Sequence, residues 1–517
     1  MTKTKHEISK TVKKEIKEDE KKIGESIKKL REAQNITQED LAKHLKTTQS
    51  VVARIESGKQ NVTVKQLAKI SHILNRQVIS VPNTLDFKVE GGRKLKGEVM
   101  TNTSKNGAVN MMVASLVNKG TTILHDIPQI EEVHRYKELL ESIGVKIRFE
   151  NGTMEITPPK KLNFSGMDKS IAERIRSFTF VGAFIHYSNK FSLPHSGGCK
   201  MGERTVASHK YALSYLGVDI VTKTGKYDIS YKKLKPCESI PLYESSDTGA
   251  ITALVAAAGV KGKTIIKFAP PNYQVQDVCF LLQKMGVEIE GVGTTTLTVH
   301  GKENINVDVE HHNSEDPIES MFFISAAIVT KSKLTIRRCP IEFLTLELEK
   351  LKRMGQKYSL SKEYLSKNGK TKLIDITIIP SKLTSLHDKI ATQPFPGINN
   401  DNLPFFVPIC CMADGQTLVH DWTWENRAIY FTELNRLGAD IKLLDPHRVL
   451  VNGGVHFRGA QVVSPPALRP TAIILIAMLA CDGVSFLRNV YSIKRGYADI
   501  AERLNKLGAK IEVINGV

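Results

Sequence analysis

A lone cysteine, Cys199, sits inside the glycine-rich stretch His195-Ser-Gly-Gly-Cys-Lys-Met-Gly-Glu-Arg204. Glycines 197, 198 and 202 let backbone N–H groups approach an anion, and Lys200 and Arg204 favour a thiolate, so the stretch suggests a reactive thiol. Taken alone it also fits a turn that carries an inert small residue. Other residues bear on the choice. Lys105-Asn106 follows a strand over 99–103, and Arg176 precedes an apolar segment; further on come Asp401, Arg427, Arg469 and Arg495. Guanidinium groups bind phosphate and carboxylate in bidentate fashion, so this set can clamp a small phosphorylated acid.

Elements must hold these residues, and the sequence gives them a repeating frame. Six candidate helices end on a related phrase whose glycines are 144, 217, 286, 355, 438 and 508, spaced 73, 69, 69, 83 and 70 residues apart. Glycine at a helix C-terminus supplies a left-handed cap, and most of the six run straight into a strand that alternates apolar and polar residues. Units of this length are too long for a solenoid. The expected fold is therefore α/β: two domains of three units each, with a cleft between them.

The N-terminal segment reads differently. Residues 1–82 carry 18 Lys/Arg against 10 Asp/Glu, within a chain of 517 residues and net charge +19, which favours a polyanionic partner. Residues 1–22 read as a charged arm. From 23 onward short helices follow one another, with Ile23, Ile27 and Leu30 at helical spacing. Thr37 is placed to cap a helix over Gln38–Leu45, Thr48 one running to Glu56, and a fourth covers 64–74. Residues 75–87 read as a linker.

Composition excludes several classes. Apolar content of 41% and charged content of 25% are globular values. The seven cysteines are scattered, which speaks against a disulfide framework or zinc site. His311-His312 reads as exposed loop. Residues 1–22 offer no signal sequence, and the most apolar stretches, such as 471–480, are about half a membrane span. The chain is expected to be cytoplasmic, with no membrane partner.

Two resemblances add to this reading. Ile36-Thr-Gln-Glu-Asp-Leu-Ala-Lys-His-Leu45, followed by Thr48-Gln-Ser-Val-Val-Ala-Arg-Ile-Glu-Ser-Gly-Lys59, resembles the phage-repressor (Xre-type) helix-turn-helix family. That implies a DNA-binding domain over 23–80, with Gln38 at a phosphate and Gln49, Ser50 and Arg54 facing the major groove. Lys46 stands where the turn often has glycine.

Residues 84–517 resemble the UDP-N-acetylglucosamine enolpyruvyl transferases. The matching phrases are Gly91-Gly-Arg-Lys-Leu-Lys-Gly-Glu98, Ser104-Lys-Asn106, Gly197-Gly-Cys-Lys-Met-Gly202, Glu425-Asn-Arg427 and Arg495-Gly-Tyr497. The resemblance implies two inside-out α/β barrel domains of three repeats, the first over 105–314 and the second over 84–104 and 315–517. It implies transfer of the enolpyruvyl group of phosphoenolpyruvate to the 3-hydroxyl of UDP-N-acetylglucosamine or a related nucleotide sugar, with no metal and no cofactor. Lys105, Arg204 and Arg495 would hold phosphate, and Arg427 would assist at the carboxylate. Asn106 and Asp401 would contact the sugar, with Asp401 as base, and Cys199 would be a lid thiol. Arg176 and Arg469 join the substrate-binding set. Three departures stand out. Ala207 and Ala467 replace carboxylates, and Ser245-Ser-Asp-Thr-Gly249 lacks a lysine and gains an acid. They motivate two alternatives: a transferase with another acceptor, and a DNA-binding regulator whose transferase body senses a ligand.

Overall fold

In this computed structural model, residues 36–45, 47–60, 62–73, 85–197 and 205–515 are described, together with seven positions between 21 and 32. The charged arm over 1–22, apart from Lys21, lies outside them, as do Ile23, Leu30, Lys46, most of the linker, and the loop with Cys199, Lys200 and Arg204. The chain divides into two units, Met1–Asn83 with Val517, and Thr84–Gly516.

The first unit is helical. Helices Gln38–Leu45, Gln49–Glu56 and Val64–Ile73 pack Leu41, Ala42, Val52, Ile55, Leu67 and Ile70 around Ile27. Thr37 caps the first of them reciprocally. Its hydroxyl accepts from Asp40 N at 3.1 Å, and Thr37 N donates to the Asp40 carboxylate at 3.2 Å, a device that contributes about 1 kcal/mol. Thr48 occupies the next N-cap position, but its hydroxyl meets Ser50 Oγ at 3.0 Å and makes no cap bond. Buried Arg31 donates to buried Glu56 at 2.6 Å.

The second unit repeats one plan. The helices Lys105–Ala114 and Pro317–Val329 are buried on every face, and Asp247–Ala258, Leu403–Met412 and Leu468–Ala480 are nearly so. A helix apolar all round belongs inside a core, and here sheets wrap such helices. Among the described residues six sheets do so, and five share one pattern: a short strand runs parallel to a partner that continues through two antiparallel neighbours. In one of these, Val309–His312 runs parallel to Thr122–His125, followed by Thr153–Thr157 and Lys146–Glu150. The sixth has the three described strands Lys190–Pro194, Lys226–Tyr231 and Val218–Lys223.

The six repeat glycines all lie at helix ends with φ between 87° and 100°, the left-handed region where a Cβ is strained. Two cores result. One draws on residues 108–309, and the other on 85–99 and 318–511 together with Tyr273. Strand Leu85–Glu90 belongs to the latter, between Val484–Arg488 and Lys510–Asn515. The chain thus crosses between the cores twice. Ser104 N donates to Ser314 O at 2.7 Å and Asp316 N to Asn102 O at 2.9 Å, which ties the crossings together.

His311 and His312 are not loop. They end the strand Val309–His312, where His311 is fully buried and burial pushes its imidazole down to about 3, so it is neutral. Four residues are too few for strand alternation to declare itself in sequence.

Candidate active site

The helix Lys105–Ala114 is capped by Ser104, whose hydroxyl accepts from Gly107 N at 3.0 Å. That places Lys105 and Asn106 in its first turn. Lys105 Nζ meets Glu132 Oε2 at 3.1 Å, with Glu132 on the helix Glu131–Ser142, and Arg495 Nη2 reaches the same oxygen at 3.5 Å. Burial would raise the Glu132 carboxyl, but Lys105, Arg176 and Arg495 outweigh it and hold the group at about 2. Burial, assisted by Arg176, Arg469 and Arg495, pulls Lys105 below the ordinary lysine value against the attraction of Glu132. Sequence reasoning missed Glu132. Its partners lie 27 and 363 residues away, and no local pattern marks it.

A second acid organises the other cations. Asp401 receives Arg469 Nη2 at 3.3 Å and Arg427 Nη1 at 3.6 Å. Burial opposes its ionisation, yet Arg469, Arg427, Lys105 and Arg176 hold it at about 2. Arg469 also donates to Tyr497 Oη at 2.8 Å, which places the tyrosine of Arg495-Gly-Tyr497 behind it. Arg427 is fully enclosed. It pairs with buried Asp421 and donates to the Asn400 carbonyl, so it braces the segment that presents Asp401.

Asp401, with Asn106 and Arg176, lines a cleft of about 480 Å³. Asn106 donates to Tyr273 Oη at 3.1 Å. Both tryptophans of the chain, Trp422 and Trp424, line the same cleft. The structure therefore gathers Lys105, Asn106, Arg176, Asp401, Arg427, Arg469 and Arg495; Cys199 and Arg204 lie outside the described residues. With Arg427 paired to Asp421, the four cations Lys105, Arg176, Arg469 and Arg495 outnumber Glu132 and Asp401 and suit an anionic ligand, held where low dielectric strengthens each contact.

The chain's relationships fit this geometry. Residues 89–513 match the family model of EPSP synthase (3-phosphoshikimate 1-carboxyvinyltransferase). The chain belongs to the enolpyruvyl transferase family. It is 31% identical over 431 residues to a UDP-N-acetylglucosamine 1-carboxyvinyltransferase of Treponema denticola, covering 83% of this chain and 99% of the relative. The Halothermothrix orenii protein of the same name is also 31% identical, over 433 residues, with the same coverage. Among solved structures, the enolpyruvyl transferase NikO from Streptomyces tendae aligns with a TM-score of 0.72 at 24% identity, over 84% of this chain and all of that one. EPSP synthase from Acinetobacter baumannii aligns with a TM-score of 0.64 at 19% identity, over 83% of this chain and all of that one. Both share the fold.

Residues 27–78 match a helix-turn-helix family model. In that unit Gln49 Nε2 donates to Gln38 Oε1 at 2.8 Å, and Gln38 in turn donates to Glu56 at 2.8 Å. Ser50 adjoins Gln49, and Arg54, one turn further along the helix, donates to Gln60 at 3.1 Å. Gln49, Ser50 and Arg54 are exposed. No described helix is long and apolar enough to cross a membrane.

Proposed function

We propose that the second unit transfers the enolpyruvyl group of phosphoenolpyruvate to a hydroxyl of a sugar acceptor, and that the first unit binds DNA. The cation cluster carries the reading. Lys105, Arg176, Arg469 and Arg495 surround two ionised acids and suit a ligand with both phosphate and carboxylate. The acceptor hydroxyl adds to C2 as its proton goes to Asp401 and C3 takes a proton from a general acid. Phosphate held by Lys105 and Arg495, with Arg204 from the cysteine loop, then leaves as C3 gives up a proton and the double bond re-forms, and Cys199 serves as the lid thiol.

Asp401 is the base. At about 2 it accepts protons poorly while the cleft lacks an anion. Phosphate and carboxylate seated on its cationic neighbours cancel part of their field and raise its proton affinity, so base strength arrives with substrate.

UDP-N-acetylglucosamine, named for the relatives, is the acceptor to test first, and this assignment would place the chain in peptidoglycan precursor synthesis. Phosphate release from phosphoenolpyruvate with this nucleotide sugar, or with N-acetylglucosamine, should exceed that of an Arg495→Ala variant. No excess with either acceptor overturns the transfer reading.

The alternative, a regulator that senses a ligand without turnover, draws on one observation. Ala467 stands at the N-cap of the helix Leu468–Ala480 with no side chain to bond the turn or a ligand. Sequence-specific DNA binding that shifts with phosphoenolpyruvate, without phosphate release, would favour it.

A further inference from the structure

One wall of the cleft has a charge at odds with a nucleotide-sugar acceptor. The helix Asp247–Ala258 opens toward it, with Ser246 as N-cap accepting from Gly249 N at 3.2 Å. A helix N-terminus of this kind is a ready site for phosphate. Here the first helical residue is itself an acid. Asp247 Oδ2 accepts from Asn272 Nδ2 at 3.1 Å and from Gln274 Nε2, so two side-chain amides fix the carboxylate in place. Glu244, Asp401 and Glu425 line the same cleft, and among its described lining residues Arg176 is the only lysine or arginine. His209 adds no charge. It is bonded to Thr252 at 2.8 Å and Thr248 at 3.2 Å, and burial pushes it down to about 4. The cations concentrate instead on Glu132 and Asp401.

We infer that Asp247 sets the acceptor class: this wall takes a sugar that presents a hydroxyl or amine donor to the carboxylate, and turns away one that places a diphosphate there. The inference rests on the transfer reading above and narrows its acceptor. A hydroxyl or ammonium donating to Asp247 gains a charge-assisted bond, whereas a diphosphate at the same helix end meets a fixed carboxylate. Asn272 and Gln274 are committed to Asp247 and hold it against retreat. Trp422 and Trp424 add apolar faces to the same cleft, the usual surround for a few fixed polar groups in a small-molecule site.

The full-length chain tests this by calorimetric titration with UDP-N-acetylglucosamine and with N-acetylglucosamine, each with and without phosphoenolpyruvate. Tryptophan fluorescence reports occupancy, since both tryptophans line the cleft. Asp247→Asn keeps the shape and Asp247→Ser removes the acid. Both should raise the affinity for UDP-N-acetylglucosamine relative to N-acetylglucosamine by roughly tenfold or more. An unchanged ratio in both variants, or wild-type protein that holds the nucleotide sugar more tightly than they do, overturns the inference. Titration with phosphoenolpyruvate alone judges the transfer reading separately, because Asp247 is read from the acceptor arms run without it.

Discussion

Lys105 Nζ lies 3.1 Å from Glu132 Oε2, and both side chains are enclosed. The pair joins the first turn of one buried helix to the start of its outer neighbour, and Arg495 draws in the far end of the chain. Removing one partner of a buried pair leaves an uncompensated charge. Glu132→Ala should therefore lower stability by about 3–5 kcal/mol in urea denaturation. Glu132→Gln keeps the volume but frees Lys105 and Arg495 to take an anion. Inorganic phosphate should then raise the midpoint temperature of this variant more than that of the wild type, since a ligand that favours the folded state stabilises it by mass action. Equal phosphate shifts would show that Glu132 does not compete for the cations.

That pair marks the limit of what a sequence shows. The six helix-terminal glycines were legible because a left-handed cap is a local demand, and each of Gly144, Gly217, Gly286, Gly355, Gly438 and Gly508 meets it. Lys105, Arg427 and Arg495 were legible as candidates because short phrases mark them. Their counter-ions were not. Glu132 stands beside Glu131 in a helix of ordinary polar pattern, and only the fold turns it toward Lys105 and Arg495. Asp421 likewise becomes the partner of Arg427 only when both are buried. His311 failed in the opposite direction. Its polarity suggested exposure, while its register opposite Leu124 puts it in the interior.

Asp277 should make stability depend on pH. It is buried against Ser314, whose hydroxyl donates to it at 2.6 Å, and burial, assisted by Glu315, pushes its carboxyl up to about 7. An unfolded aspartate ionises near 4. Between about pH 4 and 7 the folded chain therefore holds a proton that the unfolded chain has lost, and stability from this group falls as pH rises through that window. Asp277→Asn removes the titration. The variant should be more stable than wild type at pH 8, with that advantage shrinking toward pH 4. A difference constant from pH 4 to 8 would contradict the assignment.

Gly144 isolates backbone strain from crowding. Its φ is 96°, and a Cβ there would meet only Pro159 Cγ, at 3.8 Å. Gly144→Ala should thus cost about 1–2 kcal/mol through the left-handed conformation alone, and Gly144→Asn less, because asparagine tolerates that region better. Chemical denaturation of the two variants checks the order. Equal costs would point to a lost contact instead.

Arg427 and Asp421 pair where neither is exposed, and Asp421 Oδ1 has no hydrogen-bond partner among the described residues. Burial raises the Asp421 carboxyl, and Arg427 is the chief group that pulls against the rise. Arg427→Met should cost about 3–5 kcal/mol by stranding Asp421. Adding Asp421→Asn removes the stranded charge and should recover part of that loss, giving a coupling energy measurable in a double-mutant cycle. Binding gives a separate readout. Arg427 also bonds the Asn400 carbonyl and lies 3.6 Å from Asp401, so the double variant should regain stability without regaining affinity for phosphoenolpyruvate. Recovery of both would mean that Arg427 acts only on the fold, because positioning Asp401 needs the arginine itself and not merely a neutral interior.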